Sequence, residues 1–165
     1  MKKIALVTFE DQAKTYEALS QVKQISKSNT LELKQAAIIQ KNDDGSDFTI
    51  KDSLDYESGD RIATGGIIGM IVGILGGPLG VLCGWIVGDL AGIGTNYVKN
   101  KKTMTIFDFI ASRLAKNEVG LLLYIDEKDN DLLNTMLVEK LGGTIERINY
   151  DSVDEDIKTA KKHLN

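Results

Sequence analysis

Hydrophobic and polar positions follow three rhythms along this chain, and the rhythms predict its elements. Ile4–Phe9 (IALVTF) is an unbroken apolar run rich in strand formers, the pattern of a strand buried on both faces. A helix follows from Glu10 or Asp11 to about Lys27, with Tyr16, Leu19, Val22 and Ile25 recurring as one apolar stripe. Ser26–Thr30 reads as a turn. Leu31–Gln40 opens on strict alternation, Leu31 and Leu33 against Glu32 and Lys34, which predicts a strand with one wetter face. Asn42–Ser46 carries an Asp-Gly hairpin signal, and Phe48–Lys51 is a short returning strand.

The same rhythms return near the C-terminus. Glu118–Ile125 (EVGLLLYI) is a second nearly continuous apolar strand. Asp129 or Asn130 opens a helix carrying Leu132, Leu133, Met136, Leu137 and Leu141, closed by Gly142-Gly143. Thr144–Tyr150 alternates, as an edge strand should, and a charged helix runs from Ser152 to near His163 with Val153, Ile157 and Ala160 or Leu164 as its apolar side. Each half is therefore strand–helix–strand, with a uniformly apolar first strand and an alternating second one. That order predicts an α+β fold, a ferredoxin-like split βαβ sandwich. Ile4–Phe9 and Val119–Ile125 take its centre, two helices cover one face, and the strand near Phe48 extends one edge. Residues 1–55 plus 117–165 make the body, and residues 56–116 are an insertion.

The third rhythm belongs to glycine. Gly65, Gly69, Gly73 and Gly77 are spaced by four; Gly76, Gly80, Gly84, Gly88 and Gly92 are spaced by four again. No charged residue occurs from Ile62 to Gly88. An interior helical glycine costs about 0.5–1 kcal/mol relative to alanine, so two such stripes need a compensating close approach of helix to helix. Gly76-Gly77-Pro78 breaks the stretch into a hairpin, with helix A about Ile62–Leu75 and helix B about Leu79–Tyr97. A third, amphipathic helix over about Thr103–Ala115 turns Ile106, Phe107, Ile110 and Leu114 to one side.

Three readings compete for the hairpin: embedded in a membrane, packed against other copies in an oligomer, or folded back into the core of its own domain. Helix A, at about 21 Å, is shorter than the ~30 Å hydrocarbon core, and Asp89 falls near the middle of helix B. Arg61 and Lys99, Lys101 and Lys102 flank the two ends, which would put both on the cytoplasmic side. Ile67, Ile68, Ile71, Val72, Leu75, Leu82, Ile86 and Leu90 fill the faces that the glycines leave, and a lone hairpin cannot hide them all, which counts against the third reading.

Composition narrows the functional classes. The 165 residues suffice for one domain with a sizeable core. A net charge of −4 argues against a nucleic-acid partner. Cys83 is the single cysteine, so no internal disulfide forms and a reducing compartment is expected. The apolar run after Lys2 and Lys3 is too short for a signal peptide, and the expected location is cytoplasmic, with both termini there if the hairpin meets a membrane.

Catalytic and metal chemistry finds little to work with. His163 is the one histidine and reads as a solvated helix end; no Cys–His set offers a zinc site. Gly65–Gly69 lacks the lysine and preceding strand of a phosphate loop. Asp43–Asp47 reads as a hairpin turn, and Asp126, Glu127, Asp129 and Asp131 as acids favoured by a helix start. Asp89 is the one polar residue that stands out as a buried polar site, a paired specificity element rather than a pore or proton site.

VTFED at the end of the first strand, YEAL on the first helix, a KQAAII-type second strand, the Gly65–Gly94 hairpin and a final LGGTIER resemble the bacterial domain-of-unknown-function family numbered 1269. The resemblance runs from Ile4 to about Tyr150 and implies a ferredoxin-like body with an inserted hairpin, a predicted membrane protein with no established enzyme activity. The expectation is a non-enzymatic protein without a cofactor or metal. It self-associates as a homo-oligomer through Gly65, Gly69, Gly73, Gly77, Gly80, Gly84, Gly88 and Gly92, at a membrane or in preparation for one, with lipid as a further partner. The alternative is a soluble oligomeric ligand-binding or sensing module that uses an open sheet face as its pocket.

Overall fold

The computed structural model describes residues 1–26, 28–43, 47–56, 66–76 and 105–162. Numbered in chain order among these, the elements are β1 (Lys2–Thr8), α1 (Gln12–Gln24), β2 (Leu31–Lys41), β3 (Phe48–Asp55), α2 (Ile67–Gly76) and α3 (Ile106–Arg113). β4 (Val119–Glu127), α4 (Asp131–Leu133, continuing as a π-helix over Asn134–Glu139), β5 (Thr144–Asn149) and α5 (Tyr150–Lys162) follow. The fold is α+β. Its five strands form one antiparallel sheet in the order β3-β2-β4-β1-β5.

The two strands without a polar rhythm, β1 and β4, lie inside this sheet and face apolar side chains above and below. On the first face Ala5, Val7, Leu121 and Leu123 pack under α1 and α4. On the second face Ile4, Leu6, Leu122 and Tyr124 pack under α2, α3 and α5. This corrects the expectation of helices on one face and an open face on the other. A strand apolar on both sides needs cover on both sides.

α2, in the first half of the glycine-rich stretch, supplies part of that cover. Ile67, Ile68, Ile71, Val72, Ile74 and Leu75 of α2 are buried in the same cluster as the sheet. A helix of 10 residues with three glycines is marginal alone. Burial of each large side chain contributes about 1.5–3 kcal/mol, which outweighs about 1 kcal/mol per glycine. Of the side chains that a lone hairpin would expose, Ile67, Ile68, Ile71, Val72 and Leu75 are hidden here by the sheet, and Leu82, Ile86 and Leu90 lie outside the described residues. Among the described residues, no helix is long and apolar enough to cross a membrane.

Local signals account for the helix ends. Asp11 caps α1, its Oδ1 accepting from the Ala13 amide at 3.0 Å. Thr105 and Asp108 form a reciprocal capping box on α3, and Asp156 of α5 accepts from the Ile106 amide at 2.9 Å. Gly142, at φ +78°, turns the chain out of α4 in the left-handed region that glycine tolerates. The α3, α4 and α5 apolar faces are as the spacing predicts, with Ile106, Phe107, Ile110, Leu114, Leu133, Leu137, Val153, Ile157 and Ala160 buried. In α1 the stripe is rotated: Thr15, Ala18, Leu19 and Val22 face the sheet while Tyr16 is exposed.

At one edge, β3 carries a bulge. Asp52 pairs with Ile38 and Ile50 with Ile39, leaving Lys51 between them without a partner in the register. A bulge with a lysine blunts an edge that would otherwise template another strand. The opposite edge, β5, is only six residues long.

Thr15 Oγ1 is buried with no hydrogen-bond partner. Thr15→Val removes that desolvated hydroxyl and keeps the branched shape, so thermal unfolding of the variant is expected at an equal or higher temperature, with a gain of up to about 1 kcal/mol. A loss of more than that would reveal a partner for the hydroxyl.

Candidate functional site

The most organised polar arrangement on the second face is built on β2, and it begins with a bulge. Leu33 pairs with Ile125 but Gln35 pairs with the neighbouring Tyr124, so Lys34 is an extra residue in the ladder. Before the bulge, Leu31 and Leu33 face α1 and α4 with the first core; after it, Ala36 and Ile38 do. Gln35, Ala37, Ile39 and Lys41 are thereby turned to the second face. Extrapolating the Leu31/Leu33 alternation would put Gln35 on the first face.

This row carries a polar residue at each end and apolar residues between them, and each polar end meets the end of a helix. Gln35 is fully buried. Its Oε1 accepts from the Ile68 amide at 3.3 Å, in the first turn of α2, and its Nε2 donates to Asp55 Oδ2 at 3.0 Å. Asp55 is buried too and lies directly across from Gln35 in the β2–β3 register. At the other end, Lys41 Nζ donates to the carbonyls of Ala111 at 2.7 Å and Leu114 at 2.9 Å, at the C-terminal end of α3. Helix N-termini leave amide donors unpaired and C-termini leave carbonyl acceptors unpaired. The row offers an acceptor to the first and a cation to the second. Burial lowers the Lys41 pKa from its ordinary 10.5, against a smaller opposing pull from Glu118.

Two glycines fit α2 onto this seat. A Cβ on Gly66 would lie 2.2 Å from Gln35 Nε2, and one on Gly76 would lie 2.2 Å from Asp47 Oδ1. The helix thus runs from the Gln35–Asp55 pair at the end of β3 back to its start at Phe48, touching down without a side chain at both ends. Sequence spacing placed Gly76 in a helix–helix stripe; the structure sets it against Asp47. Of the glycines assigned to self-association, Gly69 is half-buried and Gly73 is exposed, with no atom of the described residues within 4 Å of where its Cβ would be. Gly65, Gly77, Gly80, Gly84, Gly88, Gly92 and Asp89 lie outside the described residues, as do helix B and His163.

A second polar cluster sits on the first face, where the ends of β4, β1 and β5 meet α4. Glu127 is buried and pairs with Arg147 and, at 3.3 Å, with Lys3. Arg147 Nη1 donates to Asn134 Oδ1 at 2.9 Å, and Lys3 Nζ to Asn130 Oδ1 at 3.0 Å. Two cations, two side-chain amides and one carboxylate therefore tie three strands to the π-helix. Sequence reasoning assigned Glu127 to a helix start, and nothing in its neighbours signalled its burial. Among the described residues, no group of histidines, cysteines and acids could hold a metal ion. Two depressions among the described residues, of about 360 Å³ near Lys2 and Tyr150 and about 450 Å³ near Thr8, Lys14 and Arg113, are both open to solvent.

Comparison of the chain with family models, with curated proteins and with solved structures gave no match.

Two measurements probe the seat. Gly66→Ala is expected to lower stability by about 1–3 kcal/mol by crowding Gln35, and to cost much less in a Gln35→Ala background; additive effects in chemical denaturation would disprove the contact. For Lys41, the unfolded chain holds the proton more tightly than the folded one, so folding is favoured as pH rises from the lowered value toward 10.5. The stability difference between wild type and Lys41→Met should therefore move in favour of wild type across that window and stay flat below it.

Proposed function

We propose that this protein is a non-enzymatic assembly module that associates with copies of itself through the glycine face of its inserted hairpin. The observation that carries the reading is the orientation of α2. The helix turns its isoleucine, valine and leucine side chains to the sheet and leaves Gly73 facing open space. A glycine with room for a side chain gives up helix stability of about 1 kcal/mol without a return inside the described structure, and a second helix approaching its backbone would supply one.

The body that carries the helix is, in this proposal, ferredoxin-like. Supporting it, β5-β1-β4-β2 is an antiparallel order in which β1–α1–β2 and β4–α4–β5 interleave, both helices lying on the first face, with β3 added beside β2. The resemblance to the domain-of-unknown-function family belongs to the same proposal, as does contact of the uncharged Ile62–Gly88 run with lipid at a cytoplasmic membrane surface. The alternative of a ligand pocket on an open sheet face has no such support, because α2, α3 and α5 occupy that face.

The test is light scattering on the 18.1 kDa chain, with and without detergent, beside Gly73→Leu. The expected result is a wild type heavier than a monomer and a variant shifted to monomer, with unchanged circular dichroism because Gly73 is exposed and no atom of the described residues lies within 4 Å of the added Cβ. A wild type that is monomeric at every concentration, in both conditions, overturns the proposal.

A further inference from the structure

A helix made only of Ile, Leu, Val, Met and Gly has no polar face to tell it which way to turn. α2 reads IIGMIVGILG, without one polar side chain, and it rests on an apolar sheet face. Gly69 and Gly73 share the side away from the sheet, so burial keeps the Ile, Val and Leu side inward; a rotation of a fraction of a turn that keeps them inward would bury nearly as much apolar area. Burial alone sets the attachment and the inward side, and discriminates weakly among such small rotations.

Finer discrimination comes from the sheet. We infer that the buried Gln35–Asp55 pair is a register device, which fixes the fine rotation of α2 on the sheet. The pair sits fully desolvated under an apolar helix, where two apolar side chains of like size would pack without any demand for hydrogen bonds. What the pair adds is direction. Asp55 Oδ2 accepts from Gln35 Nε2, which orients the amide, and the amide then presents Oε1 to the Ile68 amide. One first-turn donor, at one angular position on the helix, meets one fixed acceptor. Gly66 allows the backbone to come close enough, since any Cβ there would fall on Gln35 Nε2. A rotated helix would leave the Oε1 acceptor buried without a partner, a penalty that apolar contacts do not impose. The bulge at Lys34 belongs to the device, because it turns Gln35 to this face.

The inference needs only the seat and stands apart from self-association. It is tested by amide NMR on the full chain and on Gln35→Met, which keeps the side-chain volume and removes both polar groups. The wild type is expected to give a single set of α2 resonances, with the Ile68 amide exchanging at least tenfold more slowly than solvent-exposed amides. Gln35→Met is expected to remain folded, with the β1 and β4 resonances in place, while the signals of residues 67–76 double or broaden. A folded variant with one sharp, unshifted set of α2 signals overturns the inference. So does a variant that unfolds altogether, since the pair would then serve stability rather than choice of register. An unprotected Ile68 amide in the wild type overturns it without any variant. A monomeric wild type would end the assembly proposal and leave this inference as it is.

Discussion

Two helix ends that lack partners, and one strand row that supplies them, hold the second face of this protein together. The first-turn amide of α2 finds Gln35 Oε1, and the last carbonyls of α3 find Lys41 Nζ, six residues further along β2. Most other contacts on that face are apolar and non-directional, with Asp156 of α5 capping the start of α3 as a further polar tie. Buried helix termini are tolerated when donors and acceptors are matched, and here one strand matches both. The row exists because a single extra residue, Lys34, shifts the phase of β2 between its halves. The arrangement of the second layer therefore depends on a local irregularity in the sheet.

The glycines of the central stretch divide by what they touch. Gly66 and Gly76 let the ends of α2 approach the sheet, where side chains of Gln35 and Asp47 leave no space for a Cβ. Gly73, in the same apolar neighbourhood, has no atom of the described residues within 4 Å of where its Cβ would be. One compositional signal thus covers two physical roles, close approach inward and a bare backbone outward. Spacing by four does not separate these roles, because a periodicity says which residues share a face and does not say what that face meets.

The polar clusters on the two faces are built alike. Glu127 with Arg147 and Lys3, and Gln35 with Asp55, each tie neighbouring strands to the start of a helix around a buried, hydrogen-bonded group. Burial of Glu127 or Gln35 without a matched partner would be costly, so the partners are what permit them. Residues close in sequence gave no hint of either: Gln35 stands in the bland run LKQAAIIQK, and Glu127 among acids that a helix start explains by itself.

Pattern alone determined the strands, their central or marginal places, and the apolar sides of α3, α4 and α5, because those depend on periodicity within single elements. It placed β1 and β4 in the middle from their lack of any polar rhythm, and Asp11 and Gly142 at helix ends from their side-chain and backbone chemistry. What α2 packs against was decided only in three dimensions. Its apolar residues are equally suited to lipid, another subunit or the sheet, since burial has no direction and the sequence of α2 contains no group that chooses. The choice lies in the sheet. It rests on a phase shift at Lys34 and a hydrogen bond across 33 residues of sequence, from Gln35 to Ile68, and such long-range pairing leaves no periodic trace in either segment.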